Sequence, residues 1–397
     1  MRASGLYPTY FSIGLMSGTS MDGVDVALLK TDGQQQIQRV AGRSVPYPSD
    51  FVHAMKQVEQ QVKANSGKIA GLPIDDTIQQ STDFHVHAVQ VLLKEVGMQP
   101  EDIEVVGYHG QTVFHHPQRG ITVQLGDAER LARQTGIQQV VHQFRLADVA
   151  AGGQGAPLAP VYHQALLIRD NHVPAAVVNC GGISNVTLVS GTELSDVSGF
   201  DAGPGNGLLD KVVRLKTNGQ YLMDHDARFG RQGQVHKNLL AMLREKSCLI
   251  DGQNYFDLPV PKSLDINDFI LLPEVLALSL EDACTTLAMF TAQMIIDSVR
   301  AQVIPCTWVL AGGGWHNPLI QQFFMQGIQQ AYGAHIHVVT AEQIGWHTDT
   351  LEAELFAYLA VRRLHGLPAT GPSITGAQKN VICGEFMSNP PLQPKQF

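Results

Sequence analysis

The sequence predicts an α/β protein built from two domains. Apolar, β-like runs alternate with helix-like segments from end to end. The chain has 397 residues, enough for two domains. A strand–turn–strand unit at residues 13–29 is echoed at residues 175–189, near the start of each half. Apolar residues make up 44% and charged residues 16% of the chain, so a sizeable core is within reach and disorder is not expected.

The elements follow in order. Ile13 and Leu15 lead into the small-residue turn Ser17-Gly18-Thr19-Ser20. Val24, Val26 and Leu28 then alternate with Asp25, Ala27 and Leu29, which reads as strand, tight turn, strand. Ile78 to Val96 reads as a helix with Phe84, Ala88, Val91, Leu92 and Val96 on one face and Gly97 as its stop. Val105-Val106 leads as a strand into His109–Thr112. The glycine-rich stretch from Leu146 to Gly155 marks a domain boundary. The second apolar–turn–apolar unit, AAVVNCGGISNVTLV, follows it. Ser279 and Asp282 form a capping-box pattern before a helix running to Val299. Thr307–Leu310 is a short strand into AGGGWHN. Asn317-Pro318 then caps and opens a helix that buries Leu319, Ile320, Phe323, Phe324 and Ile328. From about Gln378 the chain looks irregular and is expected to return to the first half. The expected domains are therefore 1–147 with about 375–397, and 148–374.

Bulk properties exclude several functions. The net charge is −9 with no basic stripe, which argues against nucleic acid as a partner. The five cysteines are odd in number and none is spaced CxxC, so neither a disulfide framework nor a zinc site is expected, and a reducing cytoplasm is the default. Neither a signal peptide nor a membrane-spanning run is visible. There are 16 histidines but no HExxH. His115 and His116 are adjacent and point apart if extended, and His85 and His87 face apart on a helix. Most histidines read as surface or structural.

Four turns could carry chemistry. Backbone N–H groups in the Gly18–Gly23 turn can converge on an anion, its hydroxyls add donors, and Asp22 can orient a magnesium ion through water. A plain hairpin turn is the other reading. No GxxxxGK[ST] occurs. In GFDAGPGNG, Asp201 suits a general base or a turn-bracing cap, with Asn206 the better cap candidate. Gly312, Gly313 and Gly314 lie between a strand and a helix, where a flat ligand could rest on the backbone. Arg145 suits a substrate carboxylate or hydroxyls, or an ion pair with Asp148. His109 and Gln111 suit sugar hydroxyls, although a structural histidine reads equally well. Glu352 either completes a capping box with Asp349 at the start of the helix Leu351–Leu364 or reaches the active cleft.

Together MSGTSMDGVD, GYHGQTVFHHP, FRLADVAAGGQGAPLAP, NCGGISNVT, GFDAGPGNGLLD, LAGGGWHNPLI and the late EAELFAYLA resemble the anhydro-N-acetylmuramic acid kinase family, in family order from about residue 13 to 377. The resemblance implies a two-domain actin/hexokinase/Hsp70-like (ribonuclease H-like) ATPase fold, with ATP and Mg²⁺ bound in an interdomain cleft. Gly18, Thr19, Ser20, Met21, Asp22, Gly23, Val24 and Asp25 would form the first phosphate loop. Gly181 and Gly182 would belong to the second, and Gly312–Gly314 would lie by the nucleoside. Asp201 would match the catalytic aspartate, deprotonating a water that attacks C1 of the anhydro sugar while O6 takes the γ-phosphoryl group. His109, Gln111, Arg145 and Glu352 are the candidates for sugar contacts, and a homodimer is plausible. The family's PKSTGRE-like stretch is PKSLDIND here, Pro261–Asp268, and its QIGN reads QLGD, ending at Asp127. The alternatives are another sugar kinase of this fold acting on a plain hydroxyl, and a conformational actin- or Hsp70-like ATPase.

Overall fold

The computed structural model describes residues 7–18, 20–264, 266–299 and 303–387. It divides into two compact units, one comprising residues up to 170 with those from 347 onward, the other residues 171–346. The first unit opens with β1 (Tyr10–Ser17), β2 (Gly23–Thr31) and β3 (Ile37–Pro46), followed by α1 (Ser49–Ala64) and α2 (Asp75–Val96). It continues through β4 (Val105–His116), β5 (Ile121–Leu125), α3 (Ala128–Thr135), β6 (Val140–His142), α4 (Leu146–Ala150) and α5 (Pro160–Arg169). The second unit has β7 (Ala175–Cys180), β8 (Ser184–Val189), β9 (Val197–Gly203), α6 (Gly207–Lys216) and α7 (Lys237–Lys246). The short pair β10 (Leu249–Ile250) and β11 (Gln253–Asn254) precedes α8 (Pro273–Leu276), α9 (Leu280–Ser298), β12 (Thr307–Ala311), α10 (Pro318–Tyr332) and β13 (His337–Thr340). The chain then returns to the first unit with α11 (Leu351–Leu364), α12 (Pro372–Thr375) and β14 (Glu385–Phe386).

The two sheets share one plan. In the first unit β1, β2 and β3 form an antiparallel meander, and β4 and β6 follow in parallel on the free side of β1. In the second, β7, β8 and β9 form the meander, and β12 and β13 follow in parallel beside β7. This is the ribonuclease H-like strand order, twice. Each unit has its own apolar core, one built on residues such as Ile13, Val26, Leu92 and Val106, the other on Val178, Leu209, Phe290 and Trp308. Among the described residues no helix is long and apolar enough to cross a membrane.

α11 lies unusually close to the first sheet. Gly14 and Gly107 are direct partners across β1 and β4. A Cβ at Gly14 would come within 1.8 Å of the Ala353 carbonyl oxygen, and one at Gly107 within 2.0 Å of that of Phe356. The paired glycines therefore cut a groove in the sheet that admits the helix backbone.

The unit boundaries differ from those expected near residue 147 and residue 375. The glycine-rich stretch is not a linker. Gln154 N–H donates to Thr375 O, Gln378 N–H to Ala151 O and Gly155 N–H to Asp148 Oδ2, so the stretch is bound into the first unit. α5 and α11 belong there as well. The expected return of the tail is present in β14, which pairs antiparallel with β6; residues 388–397 lie outside the described residues.

Candidate active site

The first hairpin turn is held from beneath. Ser17 Oγ accepts from Tyr47 Oη at 2.9 Å and donates to Gln111 Oε1 at 2.5 Å. Gln111 Nε2 donates to Gly18 O at 3.1 Å, and Met21 N–H reaches the same carbonyl at 3.1 Å. Met21 adopts φ 55° and buries its side chain, while Ser20 and Asp22 stay exposed. Ser20 Oγ donates to Asp22 Oδ1 at 2.8 Å. Thr19 lies outside the described residues. Gly23 and Val24 are buried at the start of β2. Asp25 accepts from Ser44 Oγ. Burial pushes its carboxyl up to about 6, against the Ser44 bond and with help from Asp22, Glu352 and Asp349.

A second cluster in this unit centres on Arg145. Its Nε donates to His109 Nε2 at 3.1 Å and its Nη1 to Gly155 O at 2.8 Å. Because His109 accepts at Nε2, its proton sits on Nδ1 and is donated to Gly110 O at 2.8 Å. Burial, then the Arg145 charge, hold the pKa of His109 well below the ordinary value, so the ring is neutral. Asp148 does not pair with Arg145. It is fully buried and accepts from Gly155 N–H at 2.7 Å and from the hydroxyls of Thr370 and Thr375. Among the described residues no carboxylate stands within ion-pair distance of Arg145, whose partners here are neutral. Glu352 sits in the first turn of α11. Desolvation raises its pKa, against the pull of Arg145, although part of the residue reaches solvent.

In the second unit, the turn after β7 and the start of α6 are interlocked. Asn206 N–H donates to Gly181 O at 2.7 Å and Gly207 N–H to Gly182 O at 3.0 Å. Gly205, at φ 47°, could carry no side chain, since a Cβ would lie 2.2 Å from Gly181 O. The three glycines after β12 are not equivalent. Gly312 and Gly314 press on Asn179 and Cys180 at the end of β7, whereas a Cβ at Gly313 would meet nothing within 4 Å. Gly313 is thus the open surface of that turn.

Asp201 sits half-buried on β9, opposite Asn185 of β8. Its Oδ2 accepts from Leu264 N–H at 2.7 Å. Its backbone is gripped on both sides, N–H to Lys262 O at 3.0 Å and O from Tyr255 Oη at 2.8 Å. Burial pushes its carboxyl up to about 7, opposed by the Leu264 bond. One oxygen is held while the group retains affinity for a proton near neutral pH, which suits a general base.

The comparisons with known proteins decide the family. A family model described as anhydro-N-acetylmuramic acid kinase matches residues 10–389. The chain belongs to that family. It is 38% identical over 374 residues to the anhydro-N-acetylmuramic acid kinase of Rhizorhabdus wittichii, covering 94% of this chain and 97% of the relative. It is 40% identical over 379 residues to that of Brucella canis, again covering 94% and 97%. Among solved structures it is similar to component A of (R)-2-hydroxyglutaryl-CoA dehydratase from Acidaminococcus fermentans, at 13% identity and a TM-score of 0.42, over 89% of this chain and 99% of that one.

For this anhydro-N-acetylmuramic acid kinase family member, several expectations change in detail. Gln111 is fully buried and its amide is committed to Ser17 and Gly18, so it braces the turn instead of facing a sugar. Asn206 occupies the N-cap position of α6 without a side-chain cap, and its Oδ1 is buried with no partner among the described residues; backbone carbonyls of the neighbouring turn take the cap's place. Glu352 forms no capping box. Thr350 is the N-cap residue of α11 and its hydroxyl donates to Glu354. Sequence reasoning missed Tyr47, Tyr255, Lys262 and Leu264. Lys262 lies in the Lys-Ser start that keeps the family pattern and Leu264 in the part that departs from it, but the only Leu264 group involved is its backbone N–H, which carries no residue-type signal.

Proposed function

We propose that this chain opens 1,6-anhydro-N-acetylmuramic acid with water and phosphorylates its O6 from ATP, giving N-acetylmuramic acid 6-phosphate. The match of residues 10–389 to the kinase family carries the reading; the environment of Asp201 supplies its chemical centre. Asp201 Oδ1 takes a proton from water as that water attacks C1, while Leu264 N–H steadies Oδ2. The C1–O6 bond breaks, and O6 attacks the γ-phosphorus of ATP, whose bond to the β–γ bridging oxygen breaks with ADP as the leaving group. Arg145, charged and met only by neutral partners among the described residues, receives the lactyl carboxylate of the sugar. His109 orients that guanidinium, and Glu352 accepts from sugar hydroxyls. Gly18 to Asp25 hold phosphate on their backbone, Gly181 and Gly182 do so in the second unit, and Gly312–Gly314 meet the nucleoside with Gly313 as the open face.

Magnesium fits the donors present. Asp22 is an exposed oxygen donor on the phosphate turn, and one carboxylate with phosphates and water is the usual magnesium set. When bound, the ion would neutralise charge on the transferring phosphoryl group. We place the reaction in the cytoplasm, where ATP is supplied.

The test is incubation with Mg-ATP and the anhydro sugar in oxygen-18-labelled water, read early by mass spectrometry. A 6-phosphate carrying one labelled oxygen at C1 is expected. A nucleotide-binding preparation that makes no such product would return the chain to a plain sugar kinase or a conformational ATPase.

A further inference from the structure

β9 ends its sheet, so the outer edge of the strand would ordinarily leave backbone groups open. At Asp201 that edge is closed from two sides. Lys262 O takes the Asp201 N–H at 3.0 Å and Tyr255 Oη donates to the Asp201 carbonyl at 2.8 Å. Lys262 then ties the two sides together. Its ammonium donates to Tyr255 O at 3.0 Å and Phe256 O at 3.4 Å, and lies 4.5 Å from the centre of the Tyr255 ring. Two residues beyond Lys262, Leu264 N–H meets Asp201 Oδ2 at 2.7 Å. The hydrogen bonds close a ring around one residue.

We propose that Lys262 and Tyr255 are positioning residues for the base: they fix the 262–264 segment so that Leu264 N–H holds Asp201 Oδ2 and Oδ1 is presented to the attacking water. This rests on the reading of Asp201 as the general base. A carboxylate on a half-buried edge strand can rotate, and a rotated carboxylate aims the wrong lone pair. Tyr255 is 1% exposed, so its hydroxyl is an internal strut and not a surface contact. Among the described residues, the titratable groups facing Asp201 are Tyr255 from the 255–257 turn and Lys262 from its own segment. β8 presents the neutral Asn185, and α9 presents Met294 beside Gly203. The ionised form of Asp201 is the one that the Leu264 N–H favours.

Lys262→Met keeps the length of the side chain and removes its donors. It should lower kcat about tenfold, the usual effect of losing one hydrogen bond to a charged group. ATP affinity should stay unchanged, and the acid limb of the kcat/KM profile should move to higher pH. Lys262→Arg should regain most of the rate, and Tyr255→Phe should move the limb in the same direction by less. A brace that served stability alone would lower the melting temperature and leave the limb in place. Wild-type kcat and an unmoved limb in Lys262→Met would overturn the proposal. If Lys262→Met does not fold by circular dichroism, Tyr255→Phe decides by the same criterion. Asp201→Asn separates the two levels. If it is inactive while Lys262→Met and Tyr255→Phe are unmoved, only the positioning role falls; if it turns over normally, the base falls and the positioning role with it.

Discussion

Asp201 and Asp25 are both carboxylates whose burial raises their affinity for protons, with different consequences. For Asp201 the effect appears in turnover. Burial pushes its carboxyl up to about 7, so if Asp201 is the base as proposed, kcat/KM for the anhydro sugar should climb with pH through about 7 and then level. Asp201→Asn should lose about a hundredfold or more in turnover while binding ATP normally by calorimetry. Near-normal turnover would remove the base assignment. For Asp25 the effect appears in stability. The unfolded chain releases this proton near 3.8 and the folded chain holds it to about 6, so folding is favoured at low pH and loses stability as pH rises through that window. Asp25→Asn should therefore stabilise the protein at about pH 8 and bring much less gain at about pH 4, measured by urea midpoints. Equal shifts at both pH values would mean that the charge is not what costs stability. Asp201 was legible in the sequence as a candidate, because it stands alone amid glycines. Its partner Leu264 was not, because it lies 63 positions away and contributes only a backbone group.

Hairpins and capped helices were the most readable elements, because their signals are local. Asn317 accepts from Leu319 and Ile320 N–H at the start of α10, as its residue type predicts, and Ser279 from Asp282 N–H at the start of α9, while the Asp282 carboxylate meets Gln234 N–H and His236 Nε2, so only half of the expected capping box forms. The buried face of α2 was read less well. His85, Ala88, Val89 and Leu92 are buried, whereas Phe84, Val91 and Val96 are only partly so, because the sheet and not the residue pattern sets the helix rotation. The approach of α11 was invisible beforehand, since Gly14 and Gly107 become neighbours only when β1 and β4 pair. That approach makes a sharp prediction. Gly14→Ala places a methyl group against backbone atoms of α11 that cannot step aside. It should cost about 3 kcal/mol or more, or prevent folding. Gly313→Ala, where space is open, should change stability by no more than about 0.5 kcal/mol. Comparable melting temperatures for the two variants would contradict the groove.

At the scale of the whole chain, composition misled and topology explains why. Glycine-rich residues 151–155 look like a linker, yet they are bound to Asp148, Thr375 and Gln378 inside the first unit. The second unit is one uninterrupted segment, 171–346, with a core drawn wholly from within it. The first unit is interrupted, and α11, which covers β1 and β4, arrives only after the second is complete. Autonomy should follow this asymmetry. Expressed alone, residues 171–346 should give a cooperative urea transition, because they lack none of their strands or core helices. Residues 1–170 alone lack α11, so the sheet face at Gly14 and Gly107 loses the helix packed most closely on it. They should aggregate or stay open to protease. Fusing residues 347–387 behind them should restore protection, because α11 returns its apolar face to the groove and β14 regains β6. A cooperative transition from residues 1–170 alone would show that the sheet holds without its helix, and the glycine groove would then be an accommodation and not a requirement of the fold.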